Sequence, residues 1–374
     1  MAKQKRKQKK RKSALIEITN GFLTLFILAL IIAGGAFYWF AQNFYSDGNL
    51  KQDVVFVVKS GSGLATVAKD LQEQGIISNS LMFQLGARSK NLEGSIKTGE
   101  YNIAKASSMA DILFELTEGK PISYSVTIPE GFTSWQAVQK LNADKNLVGE
   151  ITSIPPEGSL LPDTYSYERG EERSAIIARM SDEFNKELAK IWENRDPDLP
   201  INTPQELVIL ASLIEKETGT PHERFEVAGV FVNRLNKGMK LQTDPAVIYG
   251  ITLGKEKLGR GLRQSELKKE TPYNTYVIPA LPIGPITNPG RESLLAAANP
   301  AKTENIFFVA AGAYPSDGHL FSATYAEHRK NVALYRKAVA QEEARLKAEQ
   351  EAQKAKEAQE SQETQEAEKA NNNG

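Results

Sequence analysis

Apolar residues follow three different patterns along the chain and divide it into segments of different character. An uncharged apolar stretch runs from Ile18 to Tyr45, which is longer than the roughly 20 residues that a membrane-spanning helix needs. Beyond it, runs of alternating or helical apolar spacing continue to about Ala340, as is typical of a folded α+β protein. From Gln341 onward the residues are mostly Glu, Gln, Lys and Ala, so this tail has almost nothing to bury.

The flanks of the apolar stretch predict its orientation. Eight Lys and Arg residues lie between Lys3 and Lys12, and aromatic side chains such as Trp39 and Tyr45 mark the other end. Basic residues favour the cytoplasmic side of a membrane, and aromatic residues favour its interfaces. The stretch is also too long for a cleavable signal peptide. We therefore predict a basic cytoplasmic tail (1–17), a single transmembrane helix (18–45) and an extracytoplasmic remainder anchored in the cell membrane.

Residues 46–123 have the pattern of a small α+β domain. A turn at Ser60 follows the first strand, and no cluster of residues here looks catalytic. The predicted elements are a strand at Val54 to Val58, helices at Leu64 to Glu73, Ser80 to Ser89 and Ser108 to Thr117, and a strand at Thr98 to Ile103. The order strand, helix, helix, strand resembles a LysM-like glycan-binding module. A spacer without a ligand fits the same pattern equally well.

Residues 124–340 predict a larger α+β domain, with the polar tail 341–374 helical at best in part. The segment from Pro155 to Tyr167 is too rich in Pro and Gly for regular structure, and it carries the loop carboxylates Glu157 and Asp163. The elements predicted here are strands near Tyr124 to Ile128, Ile306 to Ala310 and His319 to Phe321, and helices near Ser134 to Ala143, Arg173 to Glu193, Glu223 to Asn236, Arg291 to Asn299 and Thr324 to Ala340.

One further helix carries the strongest local signals in this domain. Thr203, Pro204 and Glu206 form a predicted capping box with Pro at the first helical position. Apolar residues then recur at helical spacing and predict one buried stripe, made of Leu207, Leu210, Ala211 and Ile214. Glu215 and Glu217 follow at the helix end, on opposite sides of that stripe. Burial and the negative end of the helix dipole raise a carboxyl pKa, as a general acid requires, but spacing does not choose between the two.

Polar and aromatic residues later in the domain suggest a carbohydrate cleft. They are predicted to lie on loops between Pro-rich and Gly-containing segments, and they comprise Gln242, Thr243, Asp244, Tyr273, Asn274 and Tyr276. Aromatic rings stack on sugar faces, while amides and hydroxyls bond sugar hydroxyl and acetamido groups. Each of these residues taken alone is weak evidence.

Composition excludes several other kinds of function. The chain has no Cys and only three His residues, so we predict no disulfide, no thiol nucleophile, no metal site and no cofactor. Lys and Arg equal Asp and Glu in number, at 46 each, and the chain beyond Tyr45 is net acidic because most of the early charges are basic. A net acidic body argues against nucleic acid as a partner.

Several motifs in a fixed order resemble the YceG-like endolytic murein transglycosylase family. They are IPEGFT, EGSLLPDTY, ASLIEKET, VFVNRL, LQTDPAVIYG, YNTY and the pair His319-x-Phe321. The resemblance covers about Asp53 to Arg336. It departs from the family pattern at Ile283, where a second proline is usual. That departure bears on the rigidity of one loop and removes no catalytic group.

The resemblance implies an activity and a catalytic residue. It selects Glu215 as the acid that protonates the bond between N-acetylmuramic acid and N-acetylglucosamine, with closure of a 1,6-anhydro ring. The predicted anchor and short spacer would keep Glu215 close to the bilayer, which favours newly made peptidoglycan strands as substrate. The resemblance also implies penicillin-binding synthases as partners, with release of the growing chain as the result. Two alternatives remain. One is a two-carboxylate peptidoglycan hydrolase that pairs Glu215 with Asp244, Glu157 or Asp163, and the other is a wall-binding scaffold without catalysis.

Overall fold

The chain forms two compact units, residues 1–124 and 125–374. The structure, a computed structural model, describes residues 2–59 and 61–372. Side chains are described except at 2–15, 355 and 358–372. The basic side chains at the N-terminus and most of the polar tail, both singled out in the sequence, therefore lie outside the described part, as does Ser60 of the predicted turn.

The first unit is built around a two-stranded antiparallel sheet. Val54 pairs with Ile103 and Val58 with Gly99, so the strands are in register along their whole length. Its elements are α1 (Ala2–Tyr45), β1 (Val54–Val58), α2 (Leu64–Glu73), α3 (Ser80–Ser89), β2 (Gly99–Ile103) and α4 (Met109–Glu118). The predicted order of strands and helices is confirmed. The likeness to a LysM module stays a prediction.

Helix α1 contains the apolar stretch and ends inside the first unit. Residues Ile16–Tyr45 form 30 helical residues that contain an 18-residue window with a mean hydropathy of 2.2, which by length and composition is enough to cross a membrane. Near its end Phe44 is only 1% exposed, because its ring packs on the backbone of Gly86 in α3. A side chain at position 86 would collide with that ring, so glycine there allows the helix to join the core of this unit.

The second unit combines helices with two short two-stranded sheets, one pairing its first two strands and the other, which is antiparallel, pairing its last two. In the latter, Phe307 pairs with Ser322 and Ala310 with His319. Its elements are β3 (Ser123–Thr127), α5 (Ser134–Ala143), β4 (Thr164–Glu168), α6 (Arg173–Glu193), α7 (Pro204–Glu217), α8 (Arg224–Asn236), α9 (Asp244–Thr252), α10 (Gln264–Lys268), α11 (Arg291–Ala298), β5 (Phe307–Ala310), β6 (His319–Ser322) and α12 (Tyr325–Asn372).

Helix α7 lies at the centre of this unit. Its predicted capping box is confirmed, since Thr203 Oγ1 accepts a hydrogen bond from Glu206 N and the Glu206 carboxylate accepts one from Thr203 N. The prediction of a single buried stripe is too narrow, because every residue from 207 to 214 is buried. Neighbours α6, α8, α9 and α11 cover the helix on several sides. A helix that is apolar all round is stable only in such a position.

Three local predictions are corrected by the structure. The segment from Pro155 to Tyr167 is not wholly irregular, because β4 begins at Thr164 and pairs with β3. Asp244 does not lie on a loop but begins α9, with Pro245 in its first turn. The polar tail is helical along its described length, because α12 continues without a break as far as Asn372. In β4 the buried Tyr165 and Tyr167 do alternate with exposed residues, but the Pro and Gly residues before them obscure this short pattern. The polar tail has almost no apolar residues, and Asp-Pro begins loops as well as helices, so pattern alone could not identify those two elements.

Candidate functional site

The end of α7 directs two carboxylates to opposite sides of the helix. Glu215 faces the start of α11, where its Oε2 atom accepts hydrogen bonds from Gly290 N at 3.0 Å and from Ser293 Oγ at 2.7 Å. Glu217, two residues later, faces Asp244 and Arg234. This is the separation that the helical spacing predicted. The two carboxylates therefore belong to different surroundings and can have different roles.

The surroundings of Glu215 hold one of its oxygens and leave the other available. Both donors bond Oε2, and Ser293 is fully buried, so this oxygen is fixed in place. No hydrogen bond to Oε1 is formed by the residues that the structure describes. A carboxylic acid whose Oε2 accepts two hydrogen bonds carries its proton on Oε1. Glu215 can therefore present an acidic proton in one defined direction.

The surroundings of Glu217 favour its protonated form. Burial raises the pKa of Glu217 to about 7, the negative charge of Asp244 adds to this, and Arg234 opposes it. Arg234 is itself a buried cross-link, since its guanidinium donates to the carbonyl oxygens of Ile306 and Leu241. A carboxyl group with this pKa could serve as a general acid. Glu217 also lies near the buried Arg234, which connects α8 to the residue before β5, so its negative charge could instead balance the charge of that arginine.

A turn that the sequence analysis did not select brings a third carboxylate to Glu215. The turn Pro129-Glu130-Gly131 precedes α5, and Gly131 has the left-handed φ of 74°. A side-chain carbon built on Gly131 would lie 3.9 Å from Glu215 Oε1, and one built on Gly290 would lie 1.9 Å from Glu130 Oε1. Glu130 and Glu215 thus lie on either side of Gly290. Glu130 belongs to the motif IPEGFT, and this motif is the feature of the sequence from which its role at the site could have been predicted.

Asn288 fixes this turn to the rest of the site. It is fully buried, and its side-chain amide donates to Phe132 O at 3.1 Å while its Oδ1 accepts from Leu160 N at 3.1 Å. Its backbone oxygen accepts from Gly131 N at 3.3 Å. Because Asn288 lies two residues before Gly290, it couples the turn at 129–131 and the loop at 157–160 to the segment that bonds Glu215.

The other two loop carboxylates of the sequence analysis are already engaged. Glu157 accepts hydrogen bonds from Ser134 N at 2.8 Å and Tyr249 OH at 3.1 Å, and burial raises its pKa. Asp163 accepts from Thr164 N at 2.6 Å, at the start of β4. Neither carboxylate contacts Glu215 through any hydrogen bond among the described residues. Glu157 is part of the network that positions Asn288.

The predicted sugar-binding residues form a separate group around the start of α9. Tyr276 OH donates to Asp244 Oδ1 at 2.6 Å, and the backbone N of Gln242 donates to Thr275 O at 3.1 Å. Tyr273 packs against Tyr249 with ring centroids 5.0 Å apart. Asp244 and Gln242 are exposed, and the two tyrosines Tyr273 and Tyr276 are half-buried. These four side chains have surface through which a ligand can be contacted.

Two of the predicted residues instead hold the loops together. Asn274 is fully buried, and its amide nitrogen donates to the carbonyl oxygens of Glu266, Leu267 and Lys269. Thr243 is 1% exposed, its Oγ1 forms a hydrogen bond with Thr275 Oγ1 at 3.4 Å, and its backbone N donates to Thr275 Oγ1 at 2.9 Å. A side chain with every polar group bonded inside the protein has none left for a sugar.

A cavity of about 370 Å³ opens beside α7 and α9. Lys216, the residue between the two glutamates, lines it together with Tyr249. The other lining residues include Thr133, Gln136, Pro245 and Ile248. A mainly apolar lining that includes an aromatic ring and a few polar side chains is typical of a site that binds a sugar unit. In the part of the chain that the structure describes, no cluster of three His, Asp or Glu residues is placed to hold a metal ion.

Comparison with known proteins shows one consistent likeness. The profile of the YceG-like family matches residues 56–334. A Streptococcus pneumoniae protein named endolytic murein transglycosylase is 29% identical over 361 residues, which cover 83% of this chain and 64% of that protein. A Bacillus subtilis protein of the same name is 27% identical over 334 residues, covering 80% of this chain and 90% of that protein.

A crystal structure of a yceG-like protein from Listeria monocytogenes has a TM-score of 0.45 and 26% identity, and covers 75% of this chain and 99% of that one. The chain thus spans less than two thirds of the length of its pneumococcal relative and most of the length of the Bacillus protein.

Proposed function

We propose, from the premise that this chain belongs to the YceG-like family, that it is an endolytic lytic transglycosylase of peptidoglycan. The observation that carries the proposal is Glu215, whose Oε2 is held by Gly290 N and Ser293 Oγ while Oε1 stays available to donate a proton. The names of the pneumococcal and Bacillus relatives support the same reaction and substrate. Glu215 is preferred to Glu217 because Glu217 faces the buried Arg234.

The proposed reaction needs one acid and no activated water. Glu215 donates its proton to the oxygen of the bond between N-acetylmuramic acid and N-acetylglucosamine, and positive charge develops at C1 of the muramoyl ring. The C6 hydroxyl of the same ring then attacks C1, and its proton returns to Glu215. Because the nucleophile belongs to the substrate, its effective concentration is high and water need not be positioned. The products are one new chain end and one 1,6-anhydro end.

We further propose where the reaction takes place. The apolar part of α1 supports anchoring in the cell membrane, with the N-terminus in the cytoplasm and the second unit outside. An anchored enzyme meets newly made strands close to the bilayer. The synthases that make those strands, the penicillin-binding proteins, are therefore proposed partners, and release of the growing chain is the proposed outcome. Among the predicted glycan contacts, we retain Gln242, Asp244, Tyr273 and Tyr276, which have exposed surface.

Digestion of purified, uncross-linked glycan strands by the full-length protein tests the reaction. We expect new fragments whose muramic ends lack the mass of one water, because ring closure replaces hydrolysis. Mass analysis of the ends measures this directly. Fragments with reducing muramic ends would reject the transglycosylase and favour a two-carboxylate hydrolase. Binding of strands without any cleavage would favour the wall-binding scaffold.

The anchoring of Glu215 Oε2 gives a second prediction. Ser293→Ala removes one of its two donors, so we expect the rate of anhydro-end formation to fall about tenfold, the usual value of a hydrogen bond to a charged group. The initial rate at saturating strand concentration measures the effect. Ser322→Ala is the matched control, because this buried serine has no hydrogen-bond partner for its Oγ among the described residues. An unchanged rate in Ser293→Ala would mean that Ser293 does not orient the acid.

A further inference from the structure

The carboxylate of Glu130 lies close to that of Glu215 although the two residues are far apart in sequence. Gly290 separates them, with its N bonded to Glu215 Oε2 and with a missing Cβ that would overlap Glu130 Oε1. Ordinary bond lengths then limit the separation of these two oxygens to less than about 8 Å. That is within the range over which a second carboxylate acts on the same sugar ring in glycosidases.

A buried arginine sets the position of Glu130. Arg224 of α8 approaches Glu130 Oε2 at 3.6 Å, with the arginine side chain 11% exposed and the glutamate side chain 45% exposed. Arg224 Nε has no hydrogen-bond partner among the residues that the structure describes. The arginine is therefore held at the site by this ion pair. The Glu130 side chain keeps nearly half of its surface exposed, so a substrate can lie against it.

Several elements place charge around Glu130. Burial is the largest influence and raises the pKa of Glu130. The charge of Glu215 raises it further, and the Arg224 guanidinium lowers it. The remaining contributors are Glu292 of α11 and Asp163 before β4, which also raise it. From α7, the Lys216 ammonium reaches Gly131 O at 3.4 Å, beside the turn. The Glu130 carboxylate is thus mainly surrounded by other carboxylates, and Arg224 is what stabilises its charge.

Other carboxylates near the site do not offer the same opportunity. Glu157 is bonded by Ser134 and Tyr249, and Asp244 is bonded by Tyr276 on the far side of α7. Glu130, by contrast, accepts no hydrogen bond from the described residues and relies on its ion pair alone. Of Glu130, Glu157 and Asp244, Glu130 therefore has the fewest direct contacts that stabilise its negative charge. Glu130 also lies on the side of α7 to which Glu215 points.

We propose that Glu130 is a second functional carboxylate of this site, positioned by Arg224, whose charge stabilises the positive sugar ring formed when Glu215 gives up its proton. This inference rests on the proposed function and adds a group to it. Glu130 forms no bond to the sugar, because the C6 hydroxyl remains the nucleophile. Its contribution is a fixed negative charge near the place where positive charge develops, which costs no reorganisation during the reaction.

The test is the pH dependence of anhydro-end formation by the full-length protein and by Glu130→Gln. In the wild type we expect the rate to fall on the acidic side, because protonation of Glu130 removes the charge that the reaction uses. In Glu130→Gln we expect the plateau rate to fall about 100-fold and the acidic decline to disappear. Glu130→Asp keeps the charge, so it should recover part of the rate and the acidic decline.

Two further variants move the same acidic decline in opposite directions. Glu292→Gln removes a charge that raises the Glu130 pKa, so the decline should move to lower pH with the plateau unchanged. Arg224→Met removes the charge that lowers the Glu130 pKa, so the decline should move to higher pH. Circular dichroism establishes that each variant is folded. If Arg224→Met does not fold, the Glu292→Gln shift still tests the assignment.

The outcomes separate this inference from the proposed function. An acidic decline that persists in Glu130→Gln, or that does not move in Glu292→Gln, would overturn the role of Glu130 while anhydro ends still support the transglycosylase. Reducing ends from the wild-type protein would overturn the proposed function itself. Loss of rate in Glu130→Gln with no recovery in Glu130→Asp would mean that the side chain has only a structural role.

Discussion

Replacement of Glu215 by Gln is expected to lower the rate of glycan cleavage by about 10³-fold, as loss of a general acid does. The amide has nearly the same shape and can still accept hydrogen bonds from Gly290 N and Ser293 Oγ, so the fold should be retained. It cannot donate the proton that the leaving oxygen needs. The measurement is the yield of 1,6-anhydro ends from purified strands, together with strand binding by sedimentation.

Glu217→Gln is the matched control for this prediction. It lies on the same helix end, is half-buried like Glu215 and has a pKa of about 7, so it is the competing acid. Because Glu217 faces Asp244 and Arg234, we expect Glu217→Gln to keep most of the cleavage activity. The opposite result, with activity lost in Glu217→Gln and kept in Glu215→Gln, would assign the acid to the other side of α7.

Replacement of Asn288 by Ala is expected to destabilise the second unit by about 2–3 kcal/mol, the usual cost of leaving buried polar groups unpaired. Leu160 N would lose its acceptor, and the Glu157 carboxylate would lose a neighbouring donor at 3.4 Å. The unfolding temperature of the detergent-solubilised full-length chain should fall by roughly 5–10 °C. Cleavage should also fall, because Asn288 fixes the turn that carries Glu130.

Asn194→Ala provides the comparison for that variant. Asn194 is exposed, and its amide donates to Lys190 O at 2.8 Å near the end of α6, far in sequence from the site. We expect its unfolding temperature and cleavage rate to match those of the wild type. If Asn288→Ala were as stable as Asn194→Ala, the buried network would not hold these segments together in the way that the contacts indicate.

Most helices and strands could be predicted from local pattern. Helix α7 is the clearest case, since the capping box of Thr203 and Glu206 and the regular apolar spacing both depend on residues within one or two turns. The depth of its burial could not be predicted, because that depends on the helices around it. Helix α9 was missed because Asp244 and Pro245 also occur in loops, and only packing against α7 decides between the two states.

The candidate site was predictable only in part. Spacing identified Glu215 and Glu217 as a pair on opposite sides of one helix, and the ordered motifs pointed to the first. The prediction that the loop residues lie close to each other was correct. The prediction that all of them are exposed to a ligand was wrong, since Asn274 and Thr243 are buried. Residue type indicates what a side chain can bond. It does not indicate whether a sugar or the protein's own backbone takes those bonds.

Local sequence patterns were enough to predict the segments of the chain, from the apolar helix near the N-terminus to the polar tail, and the position of the two glutamates at the end of α7. These properties depend on neighbours within a few residues. The tertiary structure decided which groups surround each glutamate. Glu130 comes from the turn at 129–131, while Asn288 and Ser293 come from the segment that leads into α11. These two segments lie beside Glu215 only because long-range packing against α7 brings them together.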